Sequence, residues 1–195
     1  MKTIREQKAA LRRAALERRD AMSVMARIEG SMAIADAAAT EIDCGPGDIV
    51  SGFWQMRSEV DVRPLMASLR DKGARLCLPA IIDKQTIVFR EMVRGVELID
   101  MGFGTLGPGP DAAVLQPTVM LVPLAAFDGA GNRIGYGAGY YDRAIARLVE
   151  SGATPSLFGI AFDCQQVEAV PAEPHDVPLP AIVTESGLRR FARAR

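Results

Sequence analysis

Long apolar runs are missing from this 195-residue sequence. No stretch approaches the roughly 18 to 20 apolar residues that a membrane-spanning helix needs. The first eight residues are charged and contain no apolar signal core, which argues against a secretory leader. We therefore expect a soluble, cytoplasmic protein that does not contact a membrane.

Paired cysteines, histidine clusters and excess charge are missing as well. The three cysteines lie far apart and form no CxxC pair, so neither a zinc site nor a disulfide framework is indicated. His175 is the only histidine, and we read it as a structural or surface residue because metal clusters need further ligands. The balance of 23 basic and 24 acidic residues argues against nucleic acid as a partner.

What the sequence does contain is a regular alternation of helical and strand patterns. Helical spacing of apolar residues predicts helices over 3–22, 24–40, 61–70 and 140–150. Short apolar runs predict strands at 48–54, 75–79, 86–90, 119–122 and 157–161, with 181–184 as the last strand. Residues 96–117 hold seven glycines and prolines and are predicted to be a long loop.

Short apolar strands that alternate with helices are typical of an α/β fold. We expect a mostly parallel sheet with helices on both faces, in three layers. The length fits one domain covering 1–195, and no linker divides it. In such sheets ligands bind beyond the carboxyl ends of the strands.

The most informative stretch runs from Phe127 to Arg143, where three glycines alternate with other residues before two tyrosines. A strand precedes it and a helix follows, an order in which backbone N–H groups and a helix N-terminus can converge on phosphate. The stretch is not a Walker A loop, and the third glycine of a dinucleotide fingerprint falls on Tyr140. By itself the pattern also fits a turn that lets strand and helix pack closely.

The first helix is basic, with Lys8, Arg12, Arg13, Arg18 and Arg19. A solvated helix face is the ordinary reading of such charges. Lys8 and Arg12 are four residues apart and so share one face.

Several segments together resemble the 5-formyltetrahydrofolate cyclo-ligase family, also called methenyltetrahydrofolate synthetases. The longest runs through Val122–Asp128 and Asn132–Arg143, and the others are Lys8–Arg12 (K-x-x-L-R), Trp54–Asp61, His175–Pro178 (H-D-x-P) and Val183–Glu185. The chain departs from the family pattern at Leu124, Gly107 and Ala138.

The resemblance implies a reaction, a fold and a set of ligands. The reaction is ATP-driven cyclisation of 5-formyltetrahydrofolate to 5,10-methenyltetrahydrofolate, with ADP and phosphate released. The implied fold is that of the NagB/RpiA/CoA transferase-like proteins. Mg²⁺ is the implied cofactor, ATP and 5-formyltetrahydrofolate are the partners, and we expect a monomer.

The resemblance also assigns residues to the site. The ATP-binding set is Lys8, Ala9, Ala10, Leu11, Arg12, Arg133, Ile134, Gly135, Tyr136, Gly137, Ala138, Gly139, Tyr140 and Tyr141. The catalytic set is Lys8, Arg12, Arg133 and Tyr140. The folate set is Trp54, Glu59, Tyr136, Gly137, Ala138, Gly139 and Tyr140, and the metal ligands are Asp142 and Asp176.

The chemistry gives these assignments a physical reason. The formyl oxygen leaves poorly as water, whereas a phosphoryl group transferred to it lets it leave as phosphate, which requires cations around the transferred group. A carboxylate such as Asp142 beside bound phosphates suits Mg²⁺. The flat pterin is rich in N–H donors, and Trp54 and Glu59 offer it an aromatic face and a carboxylate.

Two other functions stay open from the sequence. One is a different enzyme on the same plan, such as a sugar-phosphate isomerase or a CoA transferase, because fold alone permits either. The other is a folate- or nucleotide-binding module without turnover.

Overall fold

The structure is a computed structural model, and it describes residues 2–174 and 176–191. His175 lies outside the described residues, so the expectation for its role has no structural counterpart. Among the described residues, no helix combines the length and hydropathy that crossing a membrane requires.

Four α-helices form where the sequence places helical spacing of apolar residues. They are α1 (Ile4–Asp20), α2 (Val24–Glu41), α3 (Arg63–Asp71) and α4 (Tyr140–Glu150). Thr3 starts α1 with a capping box that includes Glu6, and Ser23 caps α2 by accepting from the Ala26 amide. A 3₁₀ turn covers Asp163–Gln165.

The strands are short. They are β1 (Ile49–Ser51), β2 (Arg75–Ile81), β3 (Ile87–Glu91), β4 (Leu98–Asp100), β5 (Leu106–Pro108), β6 (Val114–Leu115), β7 (Val119–Pro123), β8 (Ala126–Phe127), β9 (Arg133–Ile134), β10 (Ser156–Ile160), β11 (Ala181–Thr184) and β12 (Gly187–Arg190).

Eight of these strands form the main sheet, in the order β12-β11-β10-β7-β1-β2-β3-β6. The strands from β11 to β2 in this order pair in parallel, and β12, β3 and β6 pair antiparallel at the two edges. Two small hairpins, β4–β5 and β8–β9, lie outside this sheet. The predicted, mostly parallel sheet is therefore confirmed.

Helices cover both faces of the sheet, because its central strands are apolar on both sides. In β7, Val119 and Leu121 belong to a core shared with α2 and α3, whereas Met120 and Val122 belong to the core on the α4 side. The three-layer expectation is confirmed. The more specific likeness to the NagB/RpiA/CoA transferase-like fold stays a prediction.

α1 does not join either of these two cores. It packs instead on the β8–β9 hairpin, where Ala15 meets Ala126, Ile134 and Val170 in a separate apolar cluster. The basic helix and the glycine-rich stretch, far apart in sequence, are thereby held side by side.

Some sequence predictions are wrong in detail. The loop predicted over 96–117 contains β4, β5 and β6. The β4–β5 hairpin tolerates glycine and proline because proline is acceptable in a strand where its backbone nitrogen has no hydrogen bond to donate. The strand predicted over 48–54 ends at Ser51. α3 begins at Arg63 rather than Asp61, whose carboxylate accepts from the Arg63 amide from outside the helix.

Three further strands, β8, β9 and β12, were missed. β12 follows the strand predicted to be last, and its Gly-Leu-Arg-Arg sequence carries no apolar run because it is an edge strand. The β8–β9 hairpin lies inside the glycine-rich stretch, where the glycines concealed the pairing of Ala126 with Ile134.

Candidate functional site

A cleft of about 360 Å³ lies at the carboxyl ends of the parallel strands. Phe53 and Trp54 follow β1 on its wall, and Pro79 of β2 and Pro123 of β7 also line it. The wall on the other side is formed by residues of the glycine-rich segment 133–139, called the glycine segment below, and by the first turn of α4. This is the position where ligands bind to open α/β sheets.

Glu59 is the most unusual group in the cleft wall. Its side chain is 3% exposed, and Oε2 accepts a hydrogen bond of 2.7 Å from the Met56 amide. The other oxygen, Oε1, is buried and has no hydrogen-bond partner among the described residues. Burial raises the pKa of the Glu59 carboxyl, although the hydroxyl of Tyr136 opposes that rise. A buried acceptor without a partner faces a cleft that a donor-bearing ligand could enter.

Trp54 lies near Glu59 in the same wall. Its backbone carbonyl accepts from the Thr105 hydroxyl at 3.3 Å, which ties the β4–β5 hairpin to this wall. The Arg63 guanidinium lies 5.5 Å from the centre of the indole ring. Two of the residues predicted to bind folate, Trp54 and Glu59, thus line the same cleft.

The glycine-rich segment is held in place by a buried carboxylate. Asp128 accepts from the amides of Ala130, Asn132 and Val170 at 2.9, 3.0 and 2.9 Å. These bonds fix the turn between β8 and β9, so that Arg133 enters the cleft at a defined position. The side chain of Ile134, the next residue, is buried under α1 instead.

The three tyrosines of this segment occupy different positions in the cleft wall. The Tyr136 hydroxyl accepts from Arg19 Nη1 at 2.6 Å, and the Tyr140 hydroxyl donates to the Asp83 carbonyl at 3.3 Å. The Tyr141 hydroxyl is buried and has no partner among the described residues. Burial raises the pKa of both Tyr136 and Tyr141, so both hydroxyls keep their protons at neutral pH.

Around the tyrosines the backbone is left-handed at Gly137 (φ +105°) and Gly139 (φ +66°), conformations that side chains rarely adopt. Gly135, Ala138 and Gly139 line the cleft, whereas Gly137 does not. The Ala138 carbonyl accepts from Arg143 Nη2 at 2.7 Å.

Arg133 and Asp142 form an ion pair at the start of α4. Arg133 is 8% exposed, and its Nη2 donates to Asp142 Oδ1 at 2.7 Å while Nη1 donates to the Val177 carbonyl. Burial lowers the pKa of Arg133, and the Asp142 carboxylate opposes this effect. A cation and a carboxylate are therefore fixed next to each other in the cleft wall.

Lys8 and Arg12 lie behind the glycine segment rather than in the cleft wall. Lys8 Nζ contacts Glu173 at 2.8 Å and Asp176 at 2.5 Å. Burial lowers the pKa of Lys8, but the two carboxylates outweigh it and the pKa is raised. Arg12 Nε donates to the Gly135 carbonyl at 2.7 Å, so α1 touches the cleft through the backbone of the glycine segment.

The short segment between Lys8 and Arg12 also stays outside the cleft. Ala9 is exposed, and Ala10 and Leu11 line a separate open groove beside Val170. Of the predicted ATP-binding set, seven residues line the cleft, whereas Ile134, Gly137 and the α1 residues do not. The seven are Arg133, Gly135, Tyr136, Ala138, Gly139, Tyr140 and Tyr141.

The predicted metal ligands fit a magnesium site in type. Asp142 and Asp176 both act electrostatically on the buried Arg133, so both carboxylates lie in one neighbourhood. Each already contacts a cation, Arg133 and Lys8 respectively. No group of three or more acidic, histidine or cysteine side chains suited to a metal is found in the described part of the chain. Two carboxylates with phosphate oxygens and water would satisfy Mg²⁺, which needs few protein ligands.

Several residues that line the cleft were missed by sequence reasoning, among them Arg19, Arg57 and Phe103. Arg19 was read as solvated but is buried, and it lies on the same face of α1 as Lys8, Arg12 and Ala15, at spacings of three and four residues that could have revealed it. Arg57 and Phe103 also line the cleft, and both have left-handed backbones. Arg57 lies within the family segment Trp54–Asp61, although no role was assigned to it, and no sequence signal marks Phe103.

One departure from the family pattern has a structural reason. Gly107 lies in β5, where an added Cβ would come within 2.8 Å of the Pro79 carbonyl oxygen. No side chain fits there without moving the backbone, so a glutamate at this position is excluded by packing. Leu124, another departure, is buried in the core on the α4 side.

Comparison with known proteins gives a consistent result. The model of the 5-formyltetrahydrofolate cyclo-ligase family matches residues 4–185. The 5-formyltetrahydrofolate cyclo-ligase of Escherichia coli K12 is 34% identical over 143 residues, which cover 70% of this chain and 78% of the relative. The match is to the same family that the sequence motifs indicated.

Solved structures agree with this. The 5,10-methenyltetrahydrofolate synthetase of Aquifex aeolicus is 26% identical with a TM-score of 0.78, covering 96% of this chain and 94% of that one. The 5,10-methenyltetrahydrofolate synthetase of Mycoplasma pneumoniae has a TM-score of 0.74 at 23% identity, covering 91% and 98%, and so supports the fold alone.

Proposed function

The chain belongs to the 5-formyltetrahydrofolate cyclo-ligase family, and from this premise we propose that it closes 5-formyltetrahydrofolate to 5,10-methenyltetrahydrofolate. ATP drives the closure, and ADP and phosphate are released. The observation that carries the proposal is the buried Glu59 Oε1 without a partner, in a cleft whose other wall holds Arg133 and Asp142. One end of the cleft suits a ring with N–H donors and the other suits phosphate.

The folate end is formed by Trp54, Glu59 and Tyr136. Glu59 Oε1 accepts from the N–H groups of the pterin, and Trp54 covers a flat face of the ring. A hydrogen bond to the buried Glu59 oxygen offsets the free energy lost when that oxygen was removed from water. The site therefore favours a ring that carries N–H donors.

The phosphate end is formed by the glycine segment and Arg133. The small residues Gly135, Ala138 and Gly139 let a ligand approach the backbone closely, and Arg133 neutralises charge on the transferred phosphoryl group. Tyr140 closes the wall between the two ends. Lys8 and Arg12 add positive charge from α1, and Lys8 does so by exchanging its contact with Asp176 for a phosphate oxygen.

Asp142 and Asp176 are the residues that would hold Mg²⁺. When bound, Mg²⁺ neutralises phosphate oxygens and supports an in-line transfer. Arg133 orients the Asp142 carboxylate through the ion pair of 2.7 Å.

The reaction then proceeds in two steps. The formyl oxygen attacks the γ-phosphorus of ATP and takes the phosphoryl group, so that ADP leaves. The N10 amine attacks the formyl carbon, the C–O bond breaks, and the oxygen departs as phosphate while the N10 proton is released. The protein contributes positioning and charge neutralisation in both steps.

A direct assay tests this proposal. The purified chain is incubated with 5-formyltetrahydrofolate, Mg²⁺ and ATP, and the absorbance of the methenyl product is followed. We expect product only when ATP is present. Product without ATP, or none with it, would contradict the proposal, and folate binding without turnover would favour a binding module.

We also propose that the chain works as a monomer in the cytoplasm. The residues that carry the proposed chemistry all come from a single copy of the chain. No nucleic acid or membrane is needed for the reaction.

A further inference from the structure

Arg19 is a buried cation that the proposed reaction does not yet use. It lies in the last turn of α1 and is only 2% exposed, although its neighbours Arg18 and Asp20 are exposed. Moving a guanidinium out of water is costly unless hydrogen bonds replace the lost hydration. The hydrogen bonds of Arg19 therefore indicate its role.

Its two side-chain hydrogen bonds reach segments that line the cleft, through Tyr136 itself and through Ser58, the neighbour of Arg57 and Glu59. Nε donates to the Ser58 hydroxyl at 3.0 Å, and Nη1 donates to the Tyr136 hydroxyl at 2.6 Å. The guanidinium carbon also lies 5.9 Å from the centre of the Tyr136 ring. Ser58 in turn donates to Asp20, the residue that follows Arg19. One side chain thus joins the segment before Glu59 to the glycine segment.

We propose that Arg19 is a positioning residue for the folate, which holds Tyr136 and the Ser58–Glu59 segment in the geometry that receives the pterin. This inference rests on the proposed function. It adds a residue that touches neither the phosphate chemistry nor the metal, and whose effect reaches the folate through Glu59 and Tyr136.

The electrostatics of the cleft support this role. The side chains that act on the pKa of Glu59 are Tyr136 from the glycine segment and Arg19 from α1, and the Glu59 charge in turn raises the pKa of Tyr141 in α4. Of these only Arg19 carries a positive charge, and it lowers the pKa of Glu59 against the effect of burial. Without Arg19 the pKa of Glu59 would be higher still.

The experiment measures folate binding without turnover. Trp54 is the only tryptophan and lines the cleft, so its fluorescence reports binding of 5-formyltetrahydrofolate in the absence of ATP. The dissociation constant is measured between pH 6 and 9 for the wild type, Arg19→Met and Arg19→Lys. Arg13→Met is the matched control, because Arg13 is an exposed arginine of the same helix.

We expect Arg19→Met to weaken folate binding roughly tenfold at neutral pH. Because the pKa of Glu59 rises, the pH at which binding improves also moves upward. Arg19→Lys restores the position of the pH profile but only part of the affinity, since lysine keeps the charge and loses the forked geometry. Arg13→Met binds like the wild type, and KM for ATP, measured by turnover, stays within about twofold in every variant.

A wild-type affinity and pH profile in Arg19→Met would overturn the proposal, as would equal weakening of ATP and folate. If Arg19→Met does not fold, then Arg19→Lys and Ser58→Ala carry the test, and unchanged folate affinity in both would overturn it. Absence of turnover in the wild type would contradict the proposed function instead, because the fluorescence titration needs no turnover.

Discussion

At the scale of single residues, the cleft is defined by polar groups whose burial the fold alone does not require. Glu59 Oε1 and the Tyr141 hydroxyl have no partners among the described residues, yet both line one cleft. Buried polar atoms without a hydrogen-bond partner lower the stability of the folded protein. Such atoms are found mainly at sites that bind ligands. A ligand that forms hydrogen bonds with these atoms offsets this loss of stability.

The first prediction concerns Glu59→Gln. The glutamine oxygen can keep the Met56 amide contact, which turns its NH₂ group toward the cleft, where a donor meets the donors of the pterin. We expect KM for 5-formyltetrahydrofolate to rise about tenfold or more with KM for ATP nearly unchanged. An unmoved folate KM would remove Glu59 from the pterin contact.

The same substitution changes how stability depends on pH. The pKa of Glu59 is raised in the folded state, so the folded protein binds more protons than the unfolded chain between the two pKa values. This contribution to stability is present below the unfolded pKa and is lost as pH rises through the folded pKa. Thermal unfolding at a series of pH values measures this effect. As pH rises over this range, we expect Tm of the wild type to fall relative to Tm of Glu59→Gln. A constant difference would contradict the raised pKa.

The third prediction concerns Asp142→Asn. The variant keeps a group that can accept from Arg133 but loses the charge, so we expect about 1–3 kcal/mol less stability and a strongly lowered kcat. If Asp142 holds Mg²⁺, the Mg²⁺ concentration for half-maximal activity also rises. Asp111→Asn, on an exposed carboxylate, is the control. A loss of stability with an unchanged Mg²⁺ requirement would leave Asp142 as a partner of Arg133 only.

Sequence reasoning reached most of the site residues but not their environment. The family motifs gave Glu59, Arg133 and Asp142 by resemblance, and the structure brings these three to one cleft. Burial cannot be read from a motif, and Arg19 was therefore taken as one more solvated arginine of α1. Its helical spacing with Arg12 was visible, but its partner Tyr136 lies 117 positions away in the chain. The roles of all these residues stay predictions.

At the scale of elements, the β8–β9 hairpin links α1 to the cleft. Its turn is fixed by Asp128, and Gly131 at its tip adopts φ +83° with an added Cβ only 2.4 Å from the Leu179 carbonyl oxygen. Neither contact is visible in a sequence that shows only a run of glycines. The strand prediction failed here because the pairing depends on residues 179 and 170, which come later in the chain.

The fourth prediction compares two glycines of this hairpin. Gly131→Ala places a methyl group against a backbone oxygen in a left-handed conformation, so we expect a loss of at least about 2 kcal/mol in the free energy of unfolding. Gly129→Ala meets nothing within 4 Å and is the matched control. Denaturant unfolding measures both. Equal losses would show that the hairpin tip does not pack as described.

The β4–β5 hairpin is the second element that the sequence concealed. Its tip carries Phe103, which is 79% exposed and left-handed between two left-handed glycines, and Phe103 lines the cleft. Glycine and proline in this stretch were read as signs of a loop. The long-range tie from Thr105 to Trp54 that brings the tip to the cleft had no local signal.

At the scale of the whole molecule, the alternation of apolar strands and helices was sufficient to predict the parallel sheet and its three layers. The edge strands β6 and β12 were missed because they are short, and β12 is also polar. That one domain covers 1–195 stays a prediction.

The monomer is tested by sedimentation equilibrium, where we expect a mass near 20.9 kDa. Twice that mass would contradict it.

The central claim is that the formyl oxygen leaves as phosphate from this cleft. The most direct measurement uses 5-formyltetrahydrofolate with ¹⁸O in the formyl group, ATP, Mg²⁺ and the purified chain, with mass spectrometry of the phosphate that is released. We expect one ¹⁸O atom in each phosphate formed together with methenyl product. Unlabelled phosphate, with the label in water, would contradict it.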